Sequence, residues 1–367
     1  MTLSSTTMSI TARRREYYQL LFSIAQPLDT RKISGIIKSK KGREQMKITK
    51  EQIRPELRLT GTVIRRVMPT FTEKQLVGAN KMHRLFSEGR SFSFKINSEQ
   101  IYIDRPDGTK LRLCVYTPKS KPASCVGLLW MHGGGYALGL PEQDIRFIEN
   151  FIAAADCTVI APDYRKSVDV PYPAALEDCY AALLWMRDNC KKYGIRSDQL
   201  FVGGDSAGGG LAAALSLYAR DKGDVSIAFQ MPLYPMIDDR MITESSQDND
   251  APVWNSKSNL LSWQLYLGEL YGSDNVPEYA APARAKDYSD LPPTLTYVGG
   301  IEPFRDETIE FVNRLKANGV KVSFKLFKGC YHGFDIMSPN SKVGKAATEF
   351  LIRGFKFAVE NFRRKQP

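Results

Sequence analysis

Histidine is the residue this chain has least of: three in 367 positions, His83, His132 and His332. Any chemistry that needs an imidazole must use one of them. The six cysteines (114, 125, 157, 179, 190 and 330) are scattered without paired metal-ligand spacing, which leaves no zinc pattern and no dense disulfide framework. Such thiols read as reduced and buried, and a cytoplasmic location is the expectation. No apolar run approaches the ~20 residues that span a bilayer, so no transmembrane segment is expected. Near the N-terminus Arg13-Arg14-Arg15 precede Tyr17–Ala25, but Glu16 and Gln19 interrupt the apolar part and no small-residue cleavage site follows, as a secretory signal would require. No internal repeat or low-complexity tract is visible.

What is abundant is positive charge, unevenly placed. The net charge is +11, and residues 1–60 hold 13 Lys/Arg against 5 Asp/Glu. The basic cluster from Lys38 to Arg43 has no nucleic-acid-binding motif beside it, so no nucleic-acid partner is expected and a solvated basic segment accounts for it.

Residues 1–90 lack strand alternation. They predict helical pieces at Ala12–Ser23, Lys50–Met68 and Thr72–Phe86, punctuated by Pro55 and Pro69. From residue 91 the pattern changes. Phe92–Ile96, Ile101–Ile103 and Leu111–Val115 are strand-like, the last with period two. Val126–Met131, Cys157–Ala161 and Leu200–Val202 are short continuous apolar runs, as parallel strands buried on both faces require. Ile227–Leu233, Thr294–Val298 and Val322–Phe327 complete the strands. Helices are expected at Ala174–Cys190, Leu211–Tyr218, Asp306–Asn318 and Lys342–Phe362. Strands and helices in alternation predict an α/β fold, a mostly parallel sheet with helices on both faces. Only Ile237–Tyr271, with Trp254, Trp263, Tyr266 and Tyr271, breaks the rhythm. It reads as a lid over a site or as a pair of surface helices.

The candidate chemistry centres on Gly204-Asp205-Ser206-Ala207-Gly208, between an apolar strand and an Ala/Leu-rich helix. A G-x-S-x-G in that context is a nucleophile elbow: a sharp turn that lifts the serine hydroxyl clear of the sheet, with glycines where a side chain would collide with neighbouring elements. No lysine follows the glycines as a phosphate-binding loop would need. The partners of such a serine follow it as acid and then histidine, and only His332 lies beyond Ser206. Glu302, just after the strand Thr294–Val298, is the favoured acid; Asp306, placed in the next helix, is the alternative, with helix N-terminal capping as its other role. His132-Gly133-Gly134-Gly135 follows the strand ending at Met131, where backbone N–H groups can meet a developing alkoxide. Gly134 and Gly135, with Ala207, are the expected oxyanion donors. Gly133 serves the turn and His132 braces the loop. This machinery calls for neither a metal nor an organic cofactor.

Together with Asp163-Tyr164-Arg165, Pro171–Asp178 and Tyr331–Phe334, these motifs make the chain resemble the hormone-sensitive-lipase-like esterases of the α/β-hydrolase fold, over roughly Tyr102–Phe362. The family's usual acid motif begins with aspartate, where this chain has Glu302. The resemblance implies a catalytic domain over 91–367 and a helical cap formed by residues 1–90 and an insertion at 237–275, whose aromatics shape the substrate pocket. It also implies a serine hydrolase of carboxylic esters, with a small-molecule ester as partner; acyl chains of short to medium length are expected, since no extended apolar surface for lipid droplets is evident in the sequence. An amidase, a sugar-ester deacetylase or a non-catalytic small-molecule binding protein on this fold are the alternatives. A homodimer is a possible assembly.

Overall fold

The computed structural model describes residues 47–67, 70–90, 93–120 and 124–367. The helix expected at Ala12–Ser23 and most of the basic N-terminal stretch lie outside them. Eight strands form one sheet: β1 (Ile96–Asp104), β2 (Lys110–Pro118), β3 (Cys125–Met131), β4 (Thr158–Pro162), β5 (Ile195–Asp205), β6 (Phe229–Leu233), β7 (Thr294–Gly299) and β8 (Val322–Phe327). Their spatial order is β1-β2-β4-β3-β5-β6-β7-β8. β2 pairs antiparallel with β1 and β4, and the other five pairings are parallel.

Burial follows from position in the sheet. Every residue of β3, β4, β6 and β7 is buried, whereas the edge strands β1 and β8 alternate or face solvent. The sequence pattern divides β1 into two pieces, Phe92–Ile96 and Ile101–Ile103; Phe92 lies outside the described residues, and among them the structure has a single strand, Ile96–Asp104. The intervening Asn97–Gln100 are polar because an exposed edge needs no apolar face, and their backbone still pairs with β2. Likewise Lys50–Met68 is not one helix. Pro55, which cannot donate from its nitrogen, opens a 3-10 turn at Pro55–Leu57 that runs into the helix Arg58–Val67.

The chain leaves β3 through the helix Ile145–Ala155 to reach β4 on one side. It then returns through the helix Ala174–Asp188 to β5 on the other. Right-handed crossovers in opposite directions put these two helices on opposite faces of the sheet. The reversal also leaves a crevice beyond the C-terminal ends of β3 and β5, where open α/β sheets place their sites. Met131 pairs with Gly204 across those strands. The glycine run after β3 and the serine turn after β5 are therefore neighbours.

Candidate active site

Ser206 is the joint between β5 and the helix Ala207–Lys222, with φ 56° and ψ −118°. A side-chain-bearing residue reaches that region only when its surroundings enforce it. Here the backbone does so. Ser206 N–H donates to Leu233 O at 3.0 Å, and Ser206 O accepts from Gly210 N–H at 2.9 Å and Met236 N–H at 3.1 Å. A Cβ on Gly208 would run into the carbonyls of Met131 and His132, so the helix can approach β3 only with glycine there.

His332 follows β8 in a turn, and its Nε2 lies 2.8 Å from Ser206 Oγ, across 126 residues of sequence. Its Nδ1 lies 3.4 Å from Glu302 Oε2, an ion-pair separation longer than an ordinary hydrogen bond. Catalytic contacts in unliganded sites are often this long and tighten around substrate. Glu302 is fully buried. Burial pushes its carboxyl above the usual range, opposed by His332 and the Gly299 amide. The imidazole is walled by Tyr234 and Phe304, each with its ring centre 5.0 Å away, and by Trp254 at 6.2 Å. Asp306 is engaged elsewhere: it pairs with Arg305 at 2.6 Å and accepts from Ser245 N–H at 2.8 Å. It caps the 245 segment and not its own helix, where Ser245 Oγ in return accepts from Asp306 N–H at 3.0 Å.

The other two histidines are held neutral by burial, which drives His132 well below the usual value and His83 down to about 4. His132 stacks on Tyr164 with ring centres 4.3 Å apart, and its Nδ1–H donates to Gly133 O at 2.7 Å. Tyr164 O–H donates to His132 O at 2.7 Å, so the ring and its own backbone are tied to one neighbour. Beyond it, Gly134 O accepts from the N–H groups of Ala137 (3.1 Å) and Leu138 (2.9 Å), with φ of 124° at Gly134 and 60° at Gly135. Tyr136 O–H donates to Met236 O at 2.7 Å, which joins this loop to the residue that hydrogen-bonds the Ser206 carbonyl.

The sequence assigned no role to several acidic members of the neighbourhood. Asp144 and Asp205 are buried together beside the turn, with Trp130 Nε1–H donating to Asp144 Oδ2 at 2.8 Å. Burial raises both carboxyls, Asp144 to about 6 and Asp205 well above its usual value, and their mutual repulsion adds to the rise in Asp205. Asp335 accepts from Tyr297 O–H at 2.6 Å beneath the histidine turn. In the interval 237–275, Trp263 and Tyr266 are buried on Tyr136, with Tyr266 stacked at 3.8 Å. Of the four aromatics singled out there, Trp254 is the one set against His332. The interval holds one α-helix, Ser256–Leu267, followed by a 3-10 turn, and not a pair of surface helices.

Comparison with known proteins gives this geometry a family. A model described as the alpha/beta hydrolase fold matches residues 128–336, more than half of the chain. The chain belongs to the alpha/beta hydrolase fold family. Among alpha/beta hydrolases it is similar to Esterase LipI of Mycobacterium tuberculosis, 34% identical over 255 residues that cover 69% of this chain and 78% of the relative. It also superposes on the solved structure titled "Bacterial Heroin Esterase" with a TM-score of 0.77 and 32% identity, covering 84% of this chain and 98% of that one. Brefeldin A esterase, titled a bacterial homologue of human hormone sensitive lipase, shares the fold with a TM-score of 0.72 at 21% identity, over 84% of this chain and 95% of its own. The resemblance read from the motifs agrees with this alpha/beta hydrolase assignment. Among the described residues no helix is long and apolar enough to cross a membrane, and no cluster of three or more His, Cys, Asp or Glu could hold a metal ion.

Proposed function

We propose that this carboxylic ester hydrolase acts through Ser206 as nucleophile, His332 as proton carrier and Glu302 as the acid that orients it. Ser206 Oγ attacks the ester carbonyl while His332 Nε2 takes its proton. The N–H groups of Gly134, Gly135 and Ala207 receive the alkoxide. His332 returns the proton to the departing alcohol, leaving an acyl-serine. Water then attacks the acyl-serine by the same route, its proton passing to His332 and back to Ser206 as the carboxylic acid leaves. The observation that carries this is the 2.8 Å contact between Ser206 Oγ and His332 Nε2. Glu302 is favoured over Asp306 because its carboxylate is the one beside Nδ1.

The helices of residues 47–90 and the interval 237–275 act as the cap. Support comes from Arg65, which donates to Asp250 O at 3.1 Å and joins the two segments, and from Gly61, packed against Tyr331 beside His332. Trp254 and Phe304 both border the His332 ring, and esters with short to medium acyl chains are the substrates expected in this proposal. A cytoplasmic location is part of the same proposal, supported by cysteines that are all free and buried.

Replacing Ser206→Ala should lower kcat on a p-nitrophenyl ester by roughly 10⁵-fold or more and abolish labelling by a fluorophosphonate. Near wild-type turnover in that variant, or an unlabelled wild type, would sink the assignment; the latter is what a non-catalytic binding protein would give. Rates across acyl lengths, with an acetylated sugar and an anilide included, separate esterase from deacetylase and amidase.

A further inference from the structure

Asn80 lies on the helix Glu73–Ser87, far in sequence from every motif of the site, yet its amide grips the loop that follows the glycine run. Its Nδ2–H donates to Ala137 O at 2.8 Å, and its Oδ1 accepts from Gly139 N–H at 3.2 Å. A backbone carbonyl can only accept and a backbone N–H only donate, so this orientation of the amide is the one that satisfies both.

The grip is transmitted by planar trans peptides, whose C=O and N–H point in opposite directions. Ala137 O and Leu138 N–H belong to one peptide. With its carbonyl drawn to Asn80, its N–H points the other way, to Gly134 O at 2.9 Å. Gly134 O and Gly135 N–H belong to the next peptide in this relay. With that carbonyl turned into the loop, the Gly135 N–H must face away from it, and Gly135 itself lies against Trp254, the ring that borders His332. Gly134 is needed because a Cβ there would strike the Leu138 carbonyl and break the arrangement. Aligned hydrogen bonds also polarise one another.

Asn80 is itself fixed. Thr72 and Gln75 form a capping box at the start of its helix, and Arg84, one turn further on the same face, binds both oxygens of Asp163 at 2.8 and 3.3 Å.

We propose that Asn80 is a positioning residue for the oxyanion hole, setting the direction of the Gly135 N–H through two hydrogen-bonded peptides. This rests on the hydrolase reading above.

The test compares wild type with Asn80→Ala, Asn80→Asp and Arg84→Ala. It reads kcat and KM on a p-nitrophenyl ester, inhibition by a trifluoromethyl ketone (whose serine adduct carries an oxyanion) and the melting temperature. Losing a whole oxyanion donor costs roughly 10²–10³ in kcat, so a misaimed one should cost about tenfold. Asn80→Ala is expected to lose about that factor in kcat and in affinity for the ketone, with KM within about twofold. Asn80→Asp keeps the acceptor for Gly139 and loses the donor for Ala137, so it should follow the same pattern, and it serves if the alanine variant does not fold. Arg84→Ala, which loosens the helix without touching the loop, should lose less of both at an equal or greater loss of melting temperature.

Unchanged kcat and ketone affinity in the Asn80 variants would overturn the proposal. So would an Arg84→Ala variant with the same losses, because helix docking alone would then account for them. A wild type that fluorophosphonate fails to label overturns the hydrolase reading and this one together. A labelled wild type with Asn80 variants indistinguishable from it overturns this one alone.

Discussion

On one side of Ser206, the backbone from His132 to Gly139 is tied by hydrogen bonds from Tyr164, Gln143, Asn80 and its own turn. On the other, His332 leans on aromatic rings, and Glu302 approaches it only to 3.4 Å. The difference matches the role proposed for each side. Donors for an alkoxide act by direction and are worth most when already aimed, so that half is pinned. In the proposed mechanism the imidazole takes a proton from Ser206 and hands it to a leaving group at another place. Rings set edge-on to the imidazole, at 77° and 84°, confine it by packing rather than by directed bonds. The cost is that the orientation of His332 rests on one buried carboxylate.

The sharpest way to break this contrast is therefore Glu302→Gln. An amide removes the charge that stabilises the imidazolium and can hold the ring in the wrong tautomer, which in serine proteases costs about 10⁴ in kcat. A loss of roughly 10³–10⁴ is expected, with Asp306→Asn within about threefold of wild type. Steady-state rates on one p-nitrophenyl ester decide it, and equal losses in the two variants would contradict the assignment of Glu302.

The pinned half should fail through stability first. Asp163 receives Arg84, Arg112 (3.2 Å) and Lys166 (3.3 Å), and the last two are 4% and 3% exposed. Burial pushes the Asp163 carboxyl up, but Lys166, Arg112 and Arg84 outweigh it and hold it below the ordinary range. Asp163→Asn leaves those cations without their shared counter-charge, a change that typically costs about 3–5 kcal/mol. Urea unfolding of the variant measures it. A loss below about 1 kcal/mol would mean that Glu142, already 2.5 Å from Arg112, can take over the charge.

How much of this could be read beforehand follows the same division. Ser206, His332 and the glycine run could be singled out as candidates because their chemistry imposes local patterns, and because only one histidine follows the serine. Glu302 was a candidate from its place after β7. The inner strands β3, β4 and β5 announced themselves as continuous apolar runs. The edge strand β1 was read only in pieces, since solvent on its face removed the periodicity. The helix Ile145–Ala155 also passed unread. Asn80, Asp144 and Arg84 carry no local signature: their roles are set by partners some 60 to 80 positions away, which only tertiary packing supplies. Trp263 and Tyr266 had the composition of a pocket lining, yet they pack on Tyr136, because composition does not say which face of a helix turns inward.

The smallest expected effect concerns the buried pair Asp144 and Asp205, on the pinned side. Asp144 holds its proton to about pH 6 in the folded protein, against 3.8 as its ordinary value. Between those limits the folded state binds more protons than the unfolded one, so this group's contribution to stability is complete below about pH 4 and declines as pH rises towards 6. Asp163, whose carboxyl is held low, works in the opposite sense, adding stability as pH rises through its unfolded value. Comparing wild type with Asp144→Asn cancels that contribution. The asparagine can still accept from Trp130 and donate to Asp205, and it has nothing to titrate. Its loss of charge also relieves the repulsion that raises Asp205. Melting temperature followed from pH 4 to 7 should therefore fall less steeply in Asp144→Asn than in wild type, while kcat stays within about threefold, because Ser206 is fixed by backbone bonds that this change does not touch. Parallel melting curves would show that the pair is ionised in the native protein, and that the pinned half relies on charge where the structure points to shared protons.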